Sequence, residues 1–221
     1  MSLLAYSPRN RVLMPLLAAA LLAFPSGCMG LAANLVNVIR GHTVKPVYAG
    51  LEGKRVAVVT LTDSSQYSDD ASARLLSQRV VEILTNEGKN IKLVREDEVQ
   101  QWRDRNGWDA VEFLDIGRGV KADKVVGIEM VNLRLRDGAT LYRGRADVTV
   151  KVFDTESGTM EFRRHIEEFT YPTSAGMYTS ETTENKFRKL FLGVLAARIA
   201  RHFHSYDHAD TVAIDAAIVS Q

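Results

Sequence analysis

Apolar and polar positions repeat along this chain with two different periods, and the change falls near Asp123. Arg55 to Leu61 reads RVAVVTL, β-branched and nearly all apolar. A short continuous apolar run of this kind predicts a strand buried on both faces. The polar stretch Thr62 to Asp70 (TDSSQYSDD) can cap a following helix. From about Asp70 to Glu87, Leu75, Leu76, Val80, Ile83 and Leu84 recur at helical spacing. Gly88 is placed to end that helix in the left-handed conformation. Ile91 to Val94 predicts a second strand. Glu96 to Asn106 predicts a helix with Val99 and Trp102 turned inwards and Gly107 as its stop. Ala110 to about Gly117 predicts a short third helix carrying Val111 and Leu114.

Beyond Asp123 the period shortens to two. Val125 to Leu135, Leu141 to Phe153 and Thr159 to Tyr171 predict three long strands, separated by the hairpin signals Asp137-Gly138 and Ser157-Gly158. In the middle strand Tyr142, Gly144, Ala146, Val148, Val150 and Val152 share one face. Leu141, Arg143, Arg145, Asp147, Thr149 and Lys151 share the other, so one side meets a core and the other meets water. The third strand alternates poorly, as an edge strand does. A loop from Pro172 to Thr183 leads to a helix from about Glu184 to Tyr206, with Phe187, Leu190, Phe191, Val194, Leu195 and Ile199 buried. The order β-α-β-α-α-β-β-β-α predicts an α/β (α+β) fold, one mixed sheet with helices packed on it. It assigns residues 54–206 to the domain and 207–221 to a carboxyl-terminal tail.

The amino-terminal segment has a different logic. Arg9 and Arg11 precede the 13-residue apolar run Val12 to Phe24 (VLMPLLAAALLAF). That length matches a signal-peptide core and falls short of a membrane span, which needs about 20 residues. Pro25, Ser26, Gly27 and Cys28 follow. Ser26-Gly27-Cys28 resembles the last three positions of the bacterial lipobox, with Pro25 where Leu is usual. The resemblance implies that residues 1–27 are a signal peptide. Cys28 would then bear a thioether-linked diacylglycerol and an acylated amino group, and residues 28–53 would form a tether. Several acyl chains on one residue anchor stably, whereas a single chain binds only marginally. Met29, where Asp would favour the inner membrane, points to the outer membrane and a domain facing the periplasm. The plainer alternative is an ordinary cleaved signal peptide, or an uncleaved anchor, with Cys28 incidental.

Composition and charge narrow the function. A chain of 221 residues, 46% hydrophobic and 25% charged, suits one domain with appendages and needs no disulfide or metal staple. Its one cysteine permits no intramolecular disulfide. Removing residues 1–27 takes away Arg9 and Arg11 and no acids, so the net charge moves from +1 to −1. Such a balance gives no long-range attraction for nucleic acid.

No catalytic constellation stands out. The loop from Thr62 to Asp70 sits where a doubly wound protein would cradle a phosphate, yet it has no Gly and carries Asp63, Asp69 and Asp70. The histidines are His42, His165, His202, His204 and His208. His204 and His208, with Asp207 and Asp210, would make an exposed metal patch if the helix ran on. The plainer reading is positive charge at a helix carboxyl end. No G-x-S-x-G elbow is present. Trp102, Trp108 and Phe113 read first as core, with an exposed Trp108 as the competing partner anchor. Arg134, Arg136, Arg143 and Arg145 could cluster on the outer face of the first hairpin, either as a solvated face or as a docking site for an acidic partner. The residues therefore assign no catalytic, cofactor or metal site, and Cys28 is the one site residue.

Four motifs carry a further resemblance. They are the strand Arg55-Val-Ala-Val-Val-Thr-Leu-Thr62, the helix from Asp70 to Glu87 ending before Ile91-Lys-Leu-Val-Arg95, the entry Ala122-Asp-Lys-Val-Val-Gly127, and the turn Val150-Lys-Val-Phe-Asp-Thr-Glu-Ser-Gly158. Together, over roughly residues 54–204, they resemble a group of envelope lipoproteins. That group includes the curli-secretion lipoprotein (CsgG type), the lipoprotein activators of penicillin-binding proteins (LpoB type) and the amino-terminal domain of TolB. The resemblance implies a non-enzymatic binding, assembly or regulatory module with envelope-protein partners, in cell-wall synthase activation or secretion-complex assembly. A homo-oligomer is one competing expectation. An extracytoplasmic hydrolase or metal-binding enzyme is the other.

Overall fold

Strands and helices form where the two apolar periods place them. The computed structural model describes residues 43–63, 65, 70–108 and 112–207. In chain order the elements are β1 (Thr43–Val44), β2 (Arg55–Thr62), α1 (Ala71–Glu87), β3 (Lys92–Leu93), α2 (Glu96–Asn106), α3 (Phe113–Gly119), β4 (Lys124–Asp137), β5 (Leu141–Asp154), β6 (Met160–Tyr171), β7 (Met177–Tyr178), α4 (Glu184–Ala200) and β8 (Tyr206–Asp207). Residues 45–206 make one compact unit. Residues 1–44 and 207–221 fall to a second, in which Thr43, Val44 and Asp207 are the described residues. Cys28, the signal segment, His42 and His208 lie outside the described residues.

The sheet runs β3-β2-β4-β5-β6, with β7 also on β5. β2 pairs in parallel with both β3 and β4, and the meander β4-β5-β6 is antiparallel. This is the mixed sheet the pattern predicts. Ala57 and Val59 join Val94, Val99, Phe113, Ile116 and Val125 in one buried cluster on the side of α2 and α3. Side chains alternate across a strand, so Val56, Val58 and Thr60 face the other side. There the Ser77 hydroxyl of α1 donates to Thr60 Oγ1 at 2.8 Å. On β5 the alternation read from the sequence holds along the strand. Tyr142, Ala146, Val148, Val150 and Val152 are buried, and Tyr142 stacks on Phe187 of α4 with ring centroids 5.3 Å apart. The opposite face of β5 is polar. Lys151 Nζ donates to Glu129 at 2.5 Å, and Thr149 meets His165 Nδ1 at 3.0 Å.

Both sheet edges are blunted. β3 has two residues. β6, the edge strand anticipated from its poor alternation, carries a register shift beside Glu168, whose φ is 41°. Arg164, paired with Val150, puts a charge on the core-side face at the margin. Bulges and inward charges of this kind discourage edge-to-edge pairing.

Five details differ from the sequence reading. α3 spans Phe113–Gly119 and buries Phe113 and Ile116, where the sequence reading set Ala110 to about Gly117 carrying Val111 and Leu114; Leu114 is half-buried, and Ala110 and Val111 lie outside the described residues. α1 stops at Glu87, but Gly88 is extended at φ −75° and the left-handed residue is Asn90 at φ 51°. Glycine is needed at 88 for space, because a Cβ there would lie 2.4 Å from the Leu84 carbonyl oxygen. Residues 45–53, read as the end of a tether, pack into the unit: Leu51 is 1% exposed and the Tyr48 N–H donates to the His202 carbonyl at 2.9 Å. α4 ends at Ala200 rather than Tyr206. There the chain tightens into i to i+3 bonds, His202 N–H to Ile199 O and Phe203 N–H to Ala200 O, which lays Phe203 against Phe162 and Tyr48. The buried face of α4 holds Leu192, Ala196 and Ala200 beside Phe187, Phe191, Leu195 and Ile199, while Leu190 and Val194 are half-buried. That helix meets both the sheet and α1, so it needs a wider apolar face than a single stripe.

Two glycines test this packing with opposite signs. A Cβ on Gly144 would lie 2.0 Å from Phe191, which is fully buried, whereas a Cβ on Gly193 of α4 meets nothing within 4 Å. Gly144→Ala should cost about 1–3 kcal/mol by overpacking. Gly193→Ala should gain up to about 1 kcal/mol in helix propensity. Urea denaturation reads both, and shifts of the same sign would contradict the placement of α4 on β5.

Candidate functional site

Three polar constellations stand out in the described residues. The first lies at the carboxyl end of β2, where open α/β sheets usually bind ligands. Here the protein's own side chains occupy the space. Asp70 caps α1, accepting from the Ser72 N–H at 2.7 Å and the Ala73 N–H at 3.3 Å, and also from the Thr62 hydroxyl. Arg103 is 4% exposed, donates to Ser65 O at 2.8 Å and Trp108 O at 3.1 Å, and lies 4.2 Å from the Trp108 ring centroid. The cavity that remains, lined in part by Thr60, Ser77 and Arg103, is about 10 Å³, about one water. Asp70, read from the sequence as part of a capping loop, caps α1 here, while residues 64 and 66–69 of that loop lie outside the described residues. Trp108 is half-buried over the buried guanidinium, and Trp102 packs against the core cluster. A buried Arg103 was not foreseen, because five other charged residues in α2 hide one inward arginine.

The second constellation fastens residues 45–53 to the sheet. Lys124, 6% exposed, donates to Asp154 at 2.9 Å and Glu161 at 2.6 Å, and the Tyr48 hydroxyl donates to the other oxygen of Glu161. Burial first, then the Glu161 hydrogen bond and charge, push the Tyr48 phenol up. Burial opposes the charge on Lys124, but Glu161 and Asp154 outweigh it and the ammonium titrates higher than usual. Glu161 is held low by Lys124 and then Tyr48; Asp154 is held low by the Ser157 N–H first and then Lys124. Close by, burial, then Arg198 and Arg164, bring His202 down to about 4.

These shifts set a pH dependence. An unfolded imidazole takes up a proton below about pH 6.5, whereas folded His202 does so only below about 4. Acidification between those values therefore favours the unfolded chain. The melting temperature should fall from pH 6.5 towards 4, and His202→Gln should flatten that slope. Parallel slopes for the two proteins would remove His202 as the cause.

The third constellation is the far end of the β4–β5 hairpin. The sequence allows Arg134, Arg136, Arg143 and Arg145 to cluster on the hairpin's outer face, and the structure divides them. Arg143 and Arg145 share Asp137 at 3.8 and 3.3 Å. Arg136 lies 5.1 Å from the Tyr142 ring centroid and donates to Tyr142 Oη at 3.3 Å and to Glu184 at 3.2 Å. Arg134, opposite Arg145 in register, is exposed and makes no ion pair among the described residues. Arg188, one turn into α4, adds a fifth guanidinium and bonds Glu184 at 2.9 Å. Sequence spacing reveals the Glu184–Arg188 pair on one helix face, but nothing in it places that face beside β4. Arg134, Arg136, Arg188 and Glu184 line an open cleft of about 430 Å³ with Leu133, Leu135 and Ser72.

The other candidates resolve locally. His165 meets Thr149, and Asp63 accepts from the Asn132 N–H at 3.3 Å. Of the candidate metal patch, His204 is buried with Nδ1 at 2.9 Å from Ser205 O and Asp207 lies in β8, while His208 and Asp210 lie outside the described residues. No group of three or more His, Cys, Asp or Glu suited to a metal occurs among the described residues. None of the described helices is long and apolar enough to cross a membrane.

Fold and sites together define an α/β domain whose polar clusters chiefly brace structure, with an arginine-lined cleft open at one end. No family model and no curated protein sequence matches the chain. Among solved structures it is similar to a PelC dodecamer from Paraburkholderia phytofirmans, at 13% identity over 73% of this chain and 96% of that one, with a TM-score of 0.39. It is similar to lipoprotein GNA1162 from Neisseria meningitidis, at 12% identity over 66% and 97%, with a TM-score of 0.41. It is also similar to the LpoB C-terminal domain from Salmonella enterica, at 12% identity over 60% and 91%, with a TM-score of 0.35.

Proposed function

We propose that this chain is a lipid-anchored envelope protein that recruits or regulates a protein partner and performs no chemistry of its own. Residues 1–27 act as its signal peptide, and Cys28 holds it to a membrane, the outer membrane where there is one, with the domain in the periplasm. The observation that carries the reading is the position of Cys28: directly behind Ser26-Gly27, at the end of a 13-residue apolar run preceded by Arg9 and Arg11. The resemblance of the four sequence motifs to those of envelope lipoproteins supports it. The engagement of Asp70, Arg103, Lys124 and Glu161 in structural contacts also supports a binding role over a catalytic one.

Metabolic labelling with an alkyne fatty acid should mark the wild-type chain and leave Cys28→Ala unmarked and unprocessed at that position. Detergent partitioning should shift the variant to the aqueous phase. An unlabelled wild-type chain would remove the anchor from this reading.

A further inference from the structure

The cleft at the hairpin end already holds one carboxylate. Glu184 sits between two guanidiniums, Oε2 at 3.2 Å from Arg136 Nε and Oε1 at 2.9 Å from Arg188 Nη2. A third, Arg134, lines the same space. Three cations against one anion leave an excess of two positive charges inside the cleft, and Arg143 and Arg145 share a single acid, Asp137, just outside it. Arg136 is fixed in advance by the Tyr142 ring, which is itself stacked on buried Phe187. A guanidinium held in this way loses little freedom on binding an anion. The walls between the arginines are apolar, from half-buried Leu133 and buried Leu135.

We infer that this cleft captures an acidic peptide segment of a partner protein, its carboxylates taken by Arg134, Arg136 and Arg188 and an adjoining apolar side chain laid on Leu133 and Leu135. Glu184 serves as an internal stand-in for the ligand: it keeps the arginines aligned and competes with the incoming acid. Fork-shaped guanidiniums suit planar carboxylates. The mixture of charge and apolar wall suits a peptide, which presents both within a few residues. A membrane surface fits less well. The leucines are recessed, and the hairpin tip, Asp137 to Thr140, offers an acid and no large apolar side chain to enter a bilayer. The inference rests on reading the domain as a recruiting module and supplies the chemistry of what it recruits.

The test uses the full acylated chain in detergent and a fluorescein-labelled hexapeptide alternating Asp and Leu, read by anisotropy. Vesicles of phosphatidylglycerol and inorganic phosphate serve as the other probes. The peptide should bind, and Arg134→Ala, at an exposed position that leaves the fold intact, should weaken it about tenfold, the scale of one lost charge-assisted pair. Arg188→Ala should weaken it at least as much. Glu184→Gln should tighten binding several-fold, which loss of a merely structural ion pair would not do. No binding at millimolar peptide, equal affinity for wild type and Arg134→Ala, or weaker binding by Glu184→Gln would each overturn the proposal. Arginine-dependent binding of vesicles or phosphate without the peptide would reassign the cleft to phosphate-bearing ligands. Repeating the peptide titration on unacylated Cys28→Ala separates the two readings: retained binding there would uphold the cleft even if fatty-acid labelling had failed.

Discussion

The parallel pairing of β2 with β4 is the contact on which the rest of the domain depends. Their register runs without a break from Val56 opposite Lys124 to Thr62 opposite Met130. Two apolar strands side by side, buried on both faces, cannot be satisfied by a single layer of helices. α1 and α4 close one side; α2 and α3, which fill the return from β3 to β4, close the other. Gly127 shows how tightly the second side is drawn in, since a Cβ there would lie 2.8 Å from the Phe113 ring.

The meander carries the sheet beyond the reach of α2 and α3. Phe153 is the last residue of β5 on that face to touch their layer, stacked on Phe113 at 6.1 Å between centroids. Further along, the same face turns to Lys151, Thr149, Asp147 and Arg145. These side chains meet cross-strand partners and water rather than a helix. The hairpin end is therefore the place where the fold can display charge without burying it. α4, anchored by Phe187 and Phe191 over Tyr142 and Gly144, brings Glu184 and Arg188 to that end. The arginine cleft is a by-product of this packing: one wall belongs to the hairpin and the other to the first turn of a helix more than forty residues later in the chain.

At the opposite end, Lys124 plays the converse part. Its ammonium enters the unit at the first residue of β4 and is neutralised by Asp154 and Glu161, from the ends of two successive hairpin strands. A buried charge tolerates no loss of partners, so the network fixes the relative position of β4, β5 and β6. Through Tyr48 it also fixes residues 45–53. The structural domain thus begins before Lys54, where the apolar pattern places its start.

Periodicity alone was enough for the elements that answer to local physics. The even positions of β5, the stop of α2 at Gly107 with φ 94°, the hairpin glycines Gly138 at 74° and Gly158 at 71°, and the edge character of β6 all follow from alternation and backbone freedom. Contacts between residues far apart in sequence stayed hidden. Arg103, Lys124 and Tyr48 look like surface residues until their partners arrive 38, 37 and 113 positions away. Gly88 looks like a left-handed cap until Leu84 and Ile91 crowd it. Hydrophobic period and turn chemistry are properties of neighbouring residues, so the sequence by itself determined the type and order of the main strands, helices and hairpin turns. Which charges are buried, and which guanidiniums share a cleft, depends on distances that exist only once the sheet has closed, and those the tertiary structure decided.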